Sequence, residues 1–123
     1  MFLKKIEHQD KYQKQYIERS GRIKRHIKEI TAKPLEVSHS CFNDSCFELM
    51  DILDKLHKLY VFYQKANLPK KDFNFFNDIE DELPLIVERA QSFLDKHGAE
   101  NKIMESKYLF IEKEIAFWQD ILG

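Results

Sequence analysis

Three candidate metal ligands lie close together in the sequence, at His39, Cys41 and Cys46. Imidazole and thiolate groups bind structural zinc, but such sites use four ligands, usually with paired Cys-x-x-Cys spacing. Here four residues separate the two cysteines, and the fourth ligand would have to come from elsewhere in the chain. Asp54 and His57 share one predicted helix, but a di-iron site needs two Glu-x-x-His segments, which this sequence does not contain. We therefore expect no metal and no cofactor, with both cysteines present as free thiols.

A second candidate chemistry lies between Arg19 and His26, in the segment Arg-Ser-Gly-Arg-Ile-Lys-Arg-His. Over these eight residues the chain resembles the Arg-x(4–6)-His motif of helical HEPN-type ribonucleases. The resemblance implies that Arg19 and His26 act on the phosphate and the 2′-hydroxyl of RNA. In that family the motif lies late in the helical bundle, whereas here it lies in the first predicted helix. A solvated basic helix face explains the same residues, so the ribonuclease is the alternative hypothesis.

The net charge of −1 conceals a polarised distribution of charge. Residues 1–33 contain ten Lys or Arg and four Asp or Glu, a balance of +6. Residues 72–90 contain six acidic residues and one arginine, a balance of −5. A basic-helix nucleic-acid binder is therefore a third hypothesis, but Glu18 and Glu29 interrupt the basic stripe formed by Lys11, Lys14, Arg22 and Arg25.

The acidic segment combines carboxylates with three phenylalanines, at Phe73, Phe75 and Phe76. Aromatic anchors surrounded by charge are typical of protein interfaces, where charge speeds encounter and the rings provide affinity. The same phenylalanines would also be explained by packing against the end of the helices. Phe62, in the polar stripe of the central helix, is either covered by the Phe73–Phe76 segment or exposed for a partner. The predicted partner-binding residues are Asp72, Phe75, Phe76, Asp78, Glu80, Asp81, Glu82 and Phe62.

The elements that position these residues are helices. Three glycines and three prolines are too few for the many turns of a strand-rich fold. Apolar residues recur at alternating three- and four-residue steps in four stretches, and the stretch from Cys46 to Tyr63 has the widest apolar face. These patterns predict one all-α domain over residues 1–123, an antiparallel four-helix bundle with a short extra helix before Pro84.

The boundaries of the helices follow from caps and prolines. Pro34 ends the first helix, and Ser45 with Glu48 forms a capping box for the second, although Ser38 or Ser40 are alternative starts. We expect Asp72 to cap the short segment, Pro84 to occupy the first turn of the next helix and Gly98 to close it. The last helix is expected from about Glu100 to Leu122, with Trp118 in its buried seam.

The sequence contains no phosphate-binding glycine loop, nucleophile elbow or Cys-x-x-Cys redox pair, and this favours binding over catalysis. We expect a non-enzymatic, cytoplasmic protein that neutralises or escorts a partner protein with a basic surface. Small immunity proteins and antitoxin-like toxin inhibitors have this format. We expect a monomer or weak homodimer, no membrane association and no principal role in nucleic-acid binding.

Overall fold

The computed structural model describes residues 2–34, 39–97 and 105–122, and these ranges are all-α, without a strand. Five helices pack against each other along the chain. They are α1 (Phe2–Ala32), α2 (His39–Ala66), α3 (Phe75–Asp78), α4 (Glu82–His97) and α5 (Glu105–Leu122). The predicted fold class is thereby confirmed at the level of an all-helical protein. None of the described helices combines the length and the apolar character that crossing a membrane requires.

Helix α2 begins earlier than the capping box predicts. Its first residue is His39, which agrees with the alternative starts at Ser38 or Ser40, and Ser45 lies inside the helix. Helix α1 runs without interruption through Gly21, where the sequence allows a bend.

The short helix α3 is capped by Asn74 and not by Asp72. The Asn74 side chain accepts hydrogen bonds from the backbone N–H groups of Phe76 and Asn77, at 3.2 and 3.3 Å. Pro84 lies in the first turn of α4, as predicted, where its missing N–H removes no helical hydrogen bond. Helix α4 ends at His97, while Gly98 and the predicted start of the last helix at Glu100 lie outside the described residues.

Helices α1 and α2 run antiparallel, because the beginning of one contacts the end of the other. The rings of Tyr12 and Phe62 lie 5.9 Å apart at one end, and His26 and Glu48 are paired at the other. Helix α4 packs mainly against α1 and α5, and α5 packs against both α4 and α2. The segment 67–81 therefore leads the chain from the end of α2 to the side of α1.

Helices α2 and α5, which are not consecutive in the chain, run in the same direction. The Lys107 ammonium lies 3.9 Å from the ring centre of Phe47 near the start of both helices. Tyr60 and Trp118 are in contact further along both, with ring centres 5.6 Å apart. Helix α4 separates α2 and α5 in the sequence but packs on α1. The position beside α2 is therefore open to α5.

The core is centred on Trp118, which is fully buried, as the seam of α5 predicts. Its indole stacks on Phe75 of α3, with ring centres 5.9 Å apart and planes 16° from parallel. Tyr60 of α2 meets both rings edge-on. The indole N–H has no hydrogen-bond acceptor among the described residues, so Trp118 contributes through packing alone.

Replacing Trp118 by alanine should lower the free energy of unfolding by about 3–5 kcal/mol, as large aromatic truncations in cores do. Trp118→Phe should cost less, because it keeps a stacked ring and loses only an unpaired N–H and part of the volume. Because Trp118 is the only tryptophan, urea unfolding should be followed by circular dichroism. A loss below about 1 kcal/mol in the alanine variant would contradict the packing described.

Candidate functional site

The predicted docking segment is attached to α1 by two polar contacts. The Tyr16 hydroxyl donates a hydrogen bond to the Asp78 carboxylate at 2.7 Å. Glu82, at the first residue of α4, pairs with Lys28 at 3.5 Å, and its side chain is only 7% exposed. A carboxylate at a helix N-terminus is also favoured by the helix dipole. Part of the acidic segment is therefore used to hold α4 against the basic helix α1.

Two of the predicted partner-binding residues are unavailable to a partner. Phe75 is fully buried beneath Trp118, and Glu82 is buried against α1. The sequence predicts both as docking residues because their composition suggests an interface. It does not show which side of a short helix faces inward. Phe76 is half-buried, with its ring edge-on to Phe75 and 5.8 Å from Tyr60.

Phe62 is half-buried and packs against α1, where the Tyr12 ring meets it edge-on. The Arg19 guanidinium lies 4.9 Å from its ring centre. A cation above an aromatic face is stabilised by the ring quadrupole. Phe62 therefore belongs to the contact between α1 and α2, away from the acidic segment.

The remaining acidic residues form an exposed surface, which we call the acidic edge, at the start of α4. Its members are Asp72, Glu80, Asp81 and Glu88, all exposed and without an ion pair in the described ranges. Leu85 is 43% exposed and shares one face of α4 with Glu88, three residues after it, while Asp81 immediately precedes the helix. The sequence analysis missed Leu85 as a site residue, although its two acidic neighbours at helical spacing were a usable signal.

A second surface feature is a basic cleft between α1 and α2, with a cavity of about 350 Å³. Its basic side chains are Arg19, Arg22, His26, Lys55 and Lys58. The two lysines make the expected pairs with acids one turn earlier, Lys55 with Asp51 at 3.0 Å and Lys58 with Asp54 at 2.9 Å. Glu48 lies 3.8 Å from His26 and 3.5 Å from Lys33.

The cleft brings together the two residues of the ribonuclease-like motif. Arg19 and His26 both line it, separated by two turns of α1. Lys55 and Lys58 of α2 also line the cleft. No sequence pattern indicates that these two lysines lie opposite Arg19 and His26. The rotation of α2 relative to α1 depends on which faces are buried, and that is a property of the packed structure.

Metal ligands do not gather in the described residues, where no group of three His, Cys, Asp or Glu side chains is close enough to hold an ion. The side chains of His39 and Cys41 lie outside the described part of the structure. Cys46 is buried at 2% exposure, and burial raises the pKa of its thiol. His57, the other histidine considered for a metal, lies 3.0 Å from Glu114 and stacks on Phe117.

Comparison with protein-family models, with curated proteins and with solved structures finds no match to this chain. Its candidate sites are therefore judged from their geometry.

The Tyr16–Asp78 hydrogen bond should make stability depend on pH in the alkaline range. Burial, followed by the bond to Asp78, raises the pKa of Tyr16 well above its ordinary value near 10. Above that pH the unfolded chain loses this proton while the folded chain retains it, so the contribution to stability is present below about pH 10 and declines as the pH rises.

We expect Tyr16→Phe to cost about 1–2 kcal/mol at pH 7, because it removes a hydrogen bond to a carboxylate. The difference in unfolding free energy between the two proteins should shrink as the pH rises above about 10. Urea titrations at neutral and alkaline pH measure this difference, with Tyr108→Phe as a control at a half-buried tyrosine. An unchanged difference at alkaline pH would contradict the proposed role of the buried hydroxyl.

Cys46 should be unreactive in the folded protein, since its thiol is buried and its pKa is raised. In a Cys41→Ser variant, Cys46 is the one thiol that iodoacetamide can alkylate. We expect its rate at neutral pH to be at least about tenfold below that of the same chain unfolded in urea. Equal rates in the folded and unfolded protein would mean that the thiol is accessible.

Proposed function

We propose that this chain is a non-enzymatic binding protein that holds a partner protein through its acidic edge. The partner presents a basic surface, and binding neutralises or escorts it in the manner of cytoplasmic immunity proteins and antitoxin-like inhibitors. In this proposal α1, α2, α4 and α5 form a four-helix bundle, α3 is the short extra helix, and the chain is a monomer or weak homodimer.

The observation that carries the proposal is the exposed leucine among unpaired carboxylates. Leu85 provides apolar contact area, with Glu88 on the same face of α4 and Asp81 immediately before the helix. Protein interfaces combine an apolar centre with a polar rim in this way. Exposed carboxylates add little to stability, whereas they raise the rate of encounter with a basic partner.

The acidic edge is also presented on a firmly held element. Glu82 is buried against Lys28, and Asp78 is hydrogen-bonded to Tyr16. Phe75 holds α3 in the core immediately before α4 begins. A preorganised surface loses less conformational entropy on binding than a mobile one, which favours affinity.

The test reverses three exposed charges that have no ion pair among the described residues, in the variant Asp72→Lys, Glu80→Lys and Glu88→Lys. Asp81 is left unchanged because it immediately precedes α4, where a negative charge interacts favourably with the helix dipole. The partner is first isolated by affinity capture with the unaltered chain and then purified. We expect the variant to bind it about 100-fold more weakly, or about 3 kcal/mol, with much of the loss in association rate at low salt.

The matched control reverses three exposed lysines away from the acidic edge, in the variant Lys11→Glu, Lys14→Glu and Lys113→Glu. It should keep its affinity, and Leu85→Ala should lose affinity without loss of the thermal unfolding temperature. If the control loses binding and the acidic-edge variant keeps it, or if no protein is captured in stoichiometric amount, the proposal is wrong.

A ribonuclease is the second candidate, favoured by one observation, that Arg19 and His26 line the same cleft. In that case the arginine would hold a phosphate and the imidazole would transfer a proton. Cleavage of single-stranded RNA by the purified chain, lost in both Arg19→Gln and His26→Ala, would support this candidate over the binding protein.

A further inference from the structure

The basic cleft shares no residue with the acidic edge. The acidic segment contacts α1 at Tyr16 and Lys28, whereas the cleft opens between α1 and α2. The cavity of about 350 Å³ is within the size range of pockets for small ligands. Ile23 and Ile52, both buried, form its apolar floor.

Helical spacing explains how the cations gather there. Arg19, Arg22 and His26 stand at steps of three and four residues, so they share one face of α1. Lys55 and Lys58 are three residues apart on α2 and face them across the cleft. Five basic side chains therefore converge on one cavity.

Among the described residues, no carboxylate neutralises the two arginines of this set. Lys55, Lys58 and His26 each have an acidic partner within 4 Å. Arg22 donates only its Nε–H, at 3.5 Å, to the backbone carbonyl of Glu18. Arg19 contacts the Phe62 ring, and neither arginine has an ion pair in the described ranges. A planar guanidinium with free donors suits bidentate binding of phosphate.

We propose that the cleft binds a phosphate-bearing small molecule of nucleotide size. Arg19 and Arg22 hold the phosphate groups, and Lys55 and Lys58 add positive charge from the other wall. The apolar floor of Ile23 and Ile52 takes the ring of the ligand. This site is separate from the acidic edge and does not depend on the protein-binding function.

A small anion fits the charge distribution better than a nucleic-acid strand does. A polymer needs a continuous basic track, because each bound phosphate contributes through its own cation. Around this cleft the track is interrupted by acids on both helices, with Glu18 and Glu29 on α1 and Asp51 and Asp54 on α2. The positive charge is therefore concentrated in the cavity itself.

The experiment measures binding of ADP, pyrophosphate and inorganic phosphate to the full chain by isothermal titration calorimetry in buffer of moderate salt. We expect ADP to bind saturably with one site per chain. The double variant Arg19→Gln and Arg22→Gln should weaken it by about 100-fold, roughly tenfold for each lost charged contact. Tighter binding of ADP than of pyrophosphate would place the ring on the apolar floor, and equal binding would still support the phosphate site.

Arg25→Gln is the matched control, since Arg25 is exposed on the same helix but does not line the cleft. It should keep full affinity for ADP. Circular dichroism and thermal unfolding establish that all variants are folded, and amide chemical-shift changes around Arg19 and Ile52 on adding ADP give a second measure that needs no variant.

Three results would overturn the proposal. The first is an absence of binding for all three probes at millimolar concentration. The second is an equal loss of affinity in Arg25→Gln, which would indicate a general charge effect. The third is binding of single-stranded RNA that is tighter than ADP and strengthens with RNA length, which would assign the cleft to a nucleic acid. Loss of partner binding in the acidic-edge variant leaves this test unaffected, because the two surfaces share no residue.

Discussion

The stacking of Trp118 on Phe75 is the contact on which the rest of the structure depends. It joins α5 to α3, and Tyr60 of α2 lies edge-on to both rings. Phe75 also approaches Tyr63, whose ring in turn lies beside that of Tyr16 on α1. One series of aromatic contacts thus connects four helices. Aromatic pairs in such geometry contribute beyond the area they bury.

This contact determines how the acidic segment is divided between the interior and the surface. Since Phe75 must enter the core, the residues on the same side of the segment turn inward with it. Asp78 and Glu82 meet Tyr16 and Lys28 of α1, while Glu80 and Asp81 remain exposed. The attraction between a basic helix and an acidic segment therefore acts partly within the molecule. Only the acidic residues that remain exposed are available to a partner.

Helix α1 has different electrostatic surroundings on its two sides. Toward α4, Lys28 meets the buried Glu82. Toward α2, Arg19 and Arg22 have no carboxylate partner in the part of the chain that the structure describes, although α2 places acids next to its own lysines. Like charges that converge without compensation are unfavourable for folding, so such an arrangement is expected where a ligand supplies the opposite charge. The acidic edge and the basic cleft are thus two surface features that share no residue.

The all-helical class and most of the helices could be predicted from the sequence. The apolar repeats placed α1, α2, α4 and α5, Pro84 marked the first turn of α4, and the buried position of Trp118 followed from its seam. These are local properties, because spacing along a helix defines its faces. Boundaries were less accurate where several residues could cap a helix, as Ser38, Ser40 and Ser45 could at the start of α2.

Which residues lie together at the surface follows from the tertiary structure. Phe75 and Phe76 are neighbours of the same type, but one is buried beneath Trp118 and the other is half-buried. Phe62 is covered by α1, and Lys55 and Lys58 face Arg19 and Arg22 from another helix. The physical reason is that helix-to-helix rotation and the path of the 67–81 segment depend on the packing of all the faces together. Spacing within one helix therefore identifies a face, and the packed structure determines what lies opposite.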